Sequence, residues 1–365
     1  RPCARLSVDK TADKPSAAAC SHEKDRLKAG AEEVPMFDVR RREFITLLAG
    51  AAAWPLAARA QQADRVRRVA TLTGIANEAG GQERFTIFVE ALGQLGWIVG
   101  RNLRIESRWG GGDASIIRKH AAELVALAPE VIMATGGATV GQLLQITRIV
   151  PIVFTVVPDP VGSGFVNSLS RPGGNATGFL QFEYSLAGKW LELLREIVPG
   201  TTRAAIIWDP SQTAAIGQFA VIQAIAPALG VEVFPINVRH IAEAERGIAA
   251  FVRNGGGGMI VTASALTVVH REQIVALAKQ YKLATVCPLP DFIASGGLVS
   301  YGADLSLQMR HAAGYVDRIL KGEKPADLPV QAPSKYNLLV NLKAANDMGL
   351  TIPPSVLARA DEVIE

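Results

Sequence analysis

The 365-residue sequence predicts an α/β protein of two Rossmann-like lobes, each a parallel sheet covered by helices, the two joined by a multi-strand hinge. Short β-branched runs alternate with segments of helical period from Arg67 onward, the order expected where each parallel strand returns through a helix. This alternation runs through two successive sets of similar size, separated by the breaker cluster Arg171-Pro172-Gly173-Gly174. A hydrophobic fraction of 49% beside 20% charged residues is enough to fill a core in each half.

In the first set, strands are predicted over 69–73, 103–109, 131–134 and 152–155, with helices over 82–95, 115–127 and 139–146 between them. Each strand ends in a polar or glycine-rich turn. The Pro-Gly-Gly cluster is either a tight turn or the first passage between lobes. In the second set, strands over 204–208, 231–236, 259–261 and 284–286 alternate with helices over 213–228, 242–252 and 264–279. The tail departs from this rhythm, with a strand-like 298–301, a helical 305–320, the break Lys321-Gly322-Glu323-Lys324-Pro325 and a strand-like 336–340. These tail segments are expected to form the return crossings. The first lobe then comprises 66–178 with 302–325, and the second 179–301 with 326–365.

The formal charge of +4 is concentrated at the start of the chain. The first 60 residues hold 11 Lys/Arg against 8 Asp/Glu, which leaves 27 basic and 26 acidic residues beyond them. A nearly neutral remainder with no basic stripe lacks the counterion-release affinity of a nucleic-acid binder, so no nucleic-acid partner is expected. Cys3 and Cys20 precede residue 60 and Cys287 follows it, so the later part has no internal disulfide. Cys287, next to Pro288, reads as a small buried hydrophobe rather than a nucleophile.

Arg40-Arg41-Arg42-Glu43-Phe44-Ile45 has the twin arginine of an export signal, and an apolar run over 45–56 follows it. The run is too short to span and anchor in a bilayer. It ends at the small-x-small site Ala58-Arg59-Ala60, which makes Gln61 the expected first mature residue. Residues 1–35 read as a disordered lead-in, with translation expected to begin at Met36. The predicted location is the periplasm.

Ligands of open parallel sheets bind beyond the carboxyl ends of the strands, where helix N-termini present free N–H groups. Ala134-Thr135-Gly136-Gly137-Ala138-Thr139 follows a strand and opens a helix, so Gly136, Gly137, Ala138 and the Thr139 hydroxyl are the leading candidates to hold a carboxylate, the alternative being an ordinary strand-to-helix turn with Thr139 as cap. Thr73 and Asn77 end the first strand. Thr155 and Asp159 end the fourth, with Asp159 placed either to meet an ammonium or to cap the turn leading into 161–169. Ser211, Thr262 and Ser264 offer hydroxyls at helix starts in the second set, although Ser211 and Ser264 equally suit plain N-caps. Tyr301 and Asp304 sit at a predicted crossing, where an aromatic wall and a carboxylate suit an amino acid, although Asp304 equally suits a cap of the helix over 305–320. Trp109 and Trp208 lie at strand ends, where they either stack on a ligand or pack in a core.

No cofactor or metal is expected. His120, His240, His270 and His311 lack metal-ligand spacing, and neither G-x-S-x-G nor a P-loop is present. Gly255 to Gly258 precede a strand and read as a turn, as does the Asn175-Ala176-Thr177 triplet.

Asp159-Pro160-Val161-Gly162-Ser163-Gly164-Phe165-Val166 and Ser168-Leu169-Ser170-Arg171-Pro172-Gly173-Gly174-Asn175-Ala176-Thr177-Gly178 resemble the ABC transporter substrate-binding protein family related to tryptophan- and tyrosine-binding components. The likeness continues through Ser300-Tyr301-Gly302-Ala303-Asp304, Lys321 to Val330, Asn341-Leu342-Lys343-Ala344-Ala345 and Gly349-Leu350. The resemblance implies a type I periplasmic binding protein with three crossovers. It further implies capture of a small solute for a membrane permease without chemistry on it, whereas specificity for a particular ligand does not carry over. The expected ligand is an amino-acid-like or carboxylate solute, with an aromatic amino acid among the candidates, and the expected state is a monomer. Two other readings stay open on the residues alone. One is a sensor presenting its closed form to a regulatory partner; the other is an enzyme on the same plan, which needs a paired acid and base facing the cleft.

Overall fold

The computed structural model describes residues 66–365. The expected lead-in, export signal and cleavage site lie outside the described residues. In the first lobe β1 (Arg67–Thr73), β2 (Leu103–Trp109), β3 (Val131–Thr135), β4 (Ile152–Val157) and β5 (Ala176–Leu180) form an all-parallel sheet in the order β2-β1-β3-β4-β5. Helix α1 (Ala79–Gln94) covers one face, and α2 (Ala114–Ala126) with α3 (Gly137–Ile146) covers the other. Because both faces are buried, the strands read as nearly continuous apolar runs, such as Val-Ile-Met-Ala in β3.

The second lobe repeats the plan with α4 (Leu186–Ile197), β6 (Arg203–Trp208), α5 (Thr213–Ile225), β7 (Glu232–Asn237), α6 (Ile241–Arg253), β8 (Gly258–Val261), α7 (Ala265–Val269), α8 (Arg271–Gln280), β9 (Thr285–Cys287), α9 (Pro290–Ala294) and β10 (Val299–Ala303). The chain then returns to the first lobe as α10 (Leu305–Leu320), whose Met309, Val316 and Leu320 join Phe88 and Leu92 of α1 in one core cluster. It finishes in the second lobe with β11 (Tyr336–Asn341), α11 (Leu342–Met348), α12 (Pro354–Leu357) and β12 (Glu362–Ile364). The second sheet has the order β12-β11-β10-β9-β8-β6-β7.

Three sequence expectations change. The segments at 298–301 and 336–340 are not crossings: β10 and β11 pair antiparallel within the second sheet, with Tyr301 opposite Leu338. The chain passes between lobes instead at 181–185, at Asp304 and over 332–335, since Leu328, Val330 and Gln331 still pack on or pair with the first lobe. The single helix expected over 264–279 is two, divided at His270. Finally, Ala176–Leu180, α4 and α9 are regular elements absent from the sequence expectation; apolar periodicity does not mark Ala176–Leu180 or α9, whereas α4 carries Leu186, Trp190, Leu193, Leu194 and Ile197 at helical spacing and is an omission.

Two glycines fix the backbone next to the cleft. Gly136 caps α3 with φ +94 while its N–H donates to the Thr155 carbonyl at 2.9 Å, so a positive φ and a tight strand-to-helix turn coincide there. Gly178 lies against β4, where an added Cβ would meet the Phe154 carbonyl oxygen at 2.0 Å. Gly178→Ala is expected to cost about 1–3 kcal/mol by forcing β5 off β4. The check is the urea unfolding midpoint, and an unchanged midpoint contradicts the close approach.

Candidate functional site

The carboxyl ends of both sheets converge on a cavity of about 380 Å³. From the first lobe it is lined by the turns after β1, β2, β3 and β4; from the second, by the turns after β6, β8 and β9. Gln181 and Leu305, which flank two of the crossings, complete it. Much of the wall is apolar, contributed by Ile75, Ile117, Phe165, Val268, Val269 and Leu289.

Polar groups cluster at three points. Gly137 and Ala138 open α3, and the first N–H groups of a helix have no intrahelical acceptor. Thr213 and Ala214 open α5 in the other lobe and line the same cavity. Two positive helix ends from different lobes therefore border one space, which suits an anionic group held between them. The third point is Asp159, whose Oδ1 accepts the Gly162 N–H at 2.8 Å and whose Oδ2 accepts the Tyr184 hydroxyl at 3.0 Å. These bonds fix the carboxylate and leave acceptor capacity for a ligand cation. Burial, and the neighbouring Asp159 carboxylate, hold the Tyr184 phenol well above the usual tyrosine range, so it remains a donor.

Of the predicted residues, Gly136, Gly137, Ala138, Asp159 and Ser264 line this cavity. The others are placed elsewhere. Thr139, the leading hydroxyl candidate, is fully buried and donates back to the Gly136 carbonyl at 2.7 Å, because a threonine one turn into a helix reaches the preceding carbonyls. Thr155 is equally buried and shares a hydrogen bond with Thr135 at 3.2 Å. Thr262 donates to the Ile207 carbonyl at 3.0 Å, tying β8 to β6. Ser211 bonds to Asp209 at 2.6 Å, and Asn77 accepts from Gln82 on the exterior at 3.2 Å. Thr73 spends its carbonyl on the Gly110 N–H at 2.8 Å and does not line the cavity. Ser264, although at the cavity, caps α7 by accepting the Thr267 N–H at 3.1 Å.

Tyr301 packs towards Tyr336, ring centroids 6.1 Å apart, on an outer groove of the second lobe. Asp304 caps α10 through the Leu307 N–H at 2.9 Å and faces a separate groove. Trp208 stacks on Phe219 at 4.7 Å, and Trp109 lies against Gly81, so both tryptophans are packing residues.

The sequence reading missed the groups that join the lobes. Arg84 of α1 and Asp291 of α9 form a two-pronged pair across the cleft at 3.1 and 3.2 Å, with side chains only 15% and 13% exposed. Arg271 of α8 pairs with Glu78, the cap residue of α1. An arginine on an amphipathic helix carries no mark of such a role. Asp291 was findable, since it follows the predicted strand over 284–286 in the post-strand turn where ligands are sought.

Among the described residues no group of three or more His, Cys, Asp or Glu is arranged to hold a metal ion. Cys287 is fully buried, and burial alone raises its thiol pKa, which leaves it protonated and unreactive.

A family model described as "ABC transporter substrate binding protein" matches residues 74–364. A tyrosine-binding protein of Clostridioides difficile is 24% identical over 279 residues, which is 75% of this chain and 80% of that protein. A conserved domain protein of Vibrio cholerae has a solved structure with a TM-score of 0.74 at 25% identity, covering 82% of this chain and 100% of its own. A domain from Streptococcus pneumonia in complex with L-Trp superposes with a TM-score of 0.75 at 22% identity and the same coverage. A ligand-free, open substrate binding protein with adhesive properties from Clostridium difficile gives 0.64 at 22% identity, covering 82% of this chain and 99% of its own.

The cross-cleft pair predicts a closed form favoured by charge. Asp291→Asn, which leaves Arg84 without its anionic partner, is expected to cost about 1–3 kcal/mol of closure. Small-angle scattering of the ligand-free protein should then show a larger radius of gyration. Superimposable scattering curves contradict a latch at this pair.

Proposed function

Because the chain belongs to the ABC transporter substrate binding protein family, we propose that it captures a free amino acid with an apolar or aromatic side chain in the interlobe cleft and delivers it to the permease of an ABC importer. The observation that carries this reading is the convergence on one cavity of the α3 and α5 N-termini, of opposite polarity to Asp159. A zwitterion meets that arrangement with its carboxylate at the helix ends and its ammonium at Asp159, and it leaves its side chain to the apolar wall. The names of the relatives support the same ligand class, one being a tyrosine-binding protein and another a complex with L-Trp.

Capture requires no bond to be made or broken. Inside the cavity the two carboxylates have fixed partners: Asp159 is bonded to Gly162 and Tyr184, and Asp291 to Arg84. Neither is opposed by a free base, which supports a binding role over a proton-transfer enzyme. Residues 40–60, with a twin arginine, an apolar run and a small-x-small site, support action in the periplasm, where a solute is met before the membrane.

A ligand that binds only the folded, closed clamp raises its stability by mass action. We therefore expect the melting temperature to rise with L-tyrosine or L-tryptophan. Asp159→Asn, which keeps the acceptor for Gly162 but removes the charge, should weaken binding about tenfold to a hundredfold, the worth of a hydrogen bond to a charged group. A rise with a sugar or nucleoside and none with any amino acid contradicts the zwitterion site.

A further inference from the structure

We propose that Val156 is a specificity-determining residue of the cleft, aimed across the lobe boundary by a bulge in β4 that Gln308 pins in place. The inference rests on the reading that the cleft binds an amino acid, and it identifies what grips the apolar part of that ligand.

Three observations meet at this residue. The first is backbone conformation: Val156 has φ +56, a left-handed geometry that a β-branched side chain resists because its Cβ crowds the following carbonyl. Such a conformation persists only where the surroundings impose it, and it concentrates at functional sites.

The second is register. β4 and β5 pair Phe154 with Gly178 and then Val157 with Leu180, so two residues of β4 oppose one of β5. Up to that point the faces alternate, with Ile152 and Phe154 in the cluster under α2 and α3 and Val153 in the cluster under α1 and α10. Beyond the bulge the order inverts. Val156 packs with the α1 and α10 cluster and Val157 with the other, the reverse of the uninterrupted pattern. A bulge is a device for re-aiming a side chain beside a site.

The third is placement. Val156 lines the cavity and packs at once against the first-lobe cluster of Phe88, Met309 and Val316 and against the second-lobe cluster that contains Leu289 and Leu305. Its N–H donates to the Gln308 Oε1 at 2.9 Å, and the same amide donates through Nε2 to the Leu180 carbonyl at 2.7 Å. Gln308 is 5% exposed and sits on α10. One buried side chain therefore holds the ends of β4 and β5 together where the chain begins its passage to the second lobe. The Val156 isopropyl group becomes a wall completed only when the second lobe closes on it, and its bulk sets how large an apolar side chain the closed cleft accepts.

The test measures dissociation constants of L-tryptophan and L-leucine for the wild-type protein and for Val156→Ala. Trimming the wall should favour the bulkier probe and lower the tryptophan-to-leucine ratio of dissociation constants about tenfold, the scale on which a hydrophobic pocket discriminates side chains. A general weakening of the clamp moves both constants together and leaves the ratio unchanged, and that result overturns the proposal. A wild-type protein that binds neither probe overturns the amino-acid reading beneath it instead. Val156→Gly supplies a ligand-free check and a variant suited to the backbone. At a left-handed position glycine melts at or above alanine, whereas at an ordinary strand position it melts below. Val156→Gly melting below Val156→Ala shows that the bulge conformation is absent in solution and likewise overturns the proposal.

Discussion

Arg84 and Asp291 belong to different lobes, and neither side chain is more than 15% exposed. A guanidinium and a carboxylate so shielded from water are tolerable only because each satisfies the other, and they can do so only while the lobes are shut. The pair lies on the wall between the small cavity and the larger groove alongside it, so keeping it intact also keeps the cavity secluded. Seclusion in turn strengthens the attraction of the α3 and α5 N-termini for an anion, since water no longer screens them. On the proposed capture of an amino acid, closure and recognition are then the same event seen from two sides. A ligand that bridges both helix ends binds the shut form better than the open one, and this difference in affinity is what shifts the population.

The fold was largely legible because burial on both faces of a parallel sheet writes itself into the chain as short apolar runs. The strands of both sets were found at or near their observed limits, and the Pro-Gly-Gly break was placed just before β5. Of the elements that escaped notice, β5 and α9 lack that signature, whereas α4 carries an apolar stripe at helical spacing and was legible. β5 contains Thr177 and Gly178, the latter demanded by contact with Phe154 rather than by strand propensity, and α9 is only one turn long. Assigning β10 and β11 to the crossings failed for a topological reason, since antiparallel pairing between Val299–Ala303 and Tyr336–Asn341 spans an excursion of the chain into the other lobe. Local periodicity holds no record of such an excursion.

The site was legible to the level of the turn and not of the side chain. Searching the carboxyl ends of strands led to the Gly136-Gly137-Ala138 turn and to Asp159, because topology alone dictates where those ends point. The same rule favoured hydroxyls such as Thr139, Thr155 and Thr262, which the fold instead uses to satisfy neighbouring carbonyls or one another. Hydroxyls at strand-to-helix junctions are claimed first by backbone groups that burial would otherwise leave unpaired. What remains for a ligand is mainly backbone N–H, the fixed Asp159 carboxylate, a few polar side chains such as Ser163 and Gln181, and apolar surface, and of these Asp159 is the side chain the rule singled out. Cross-lobe partners such as Glu78 and Arg271, 193 positions apart, cannot be matched from one sequence.

The central claim is that the closed cleft holds one zwitterionic amino acid, and native mass spectrometry of the gently purified protein, before and after addition of L-tryptophan and L-tyrosine, tests it most directly. The account predicts a single adduct of amino-acid mass, either carried through purification or formed on addition, and lost when the protein is denatured. No amino-acid adduct under any of these conditions, or an adduct of sugar or nucleoside mass that added amino acids fail to displace, would contradict it.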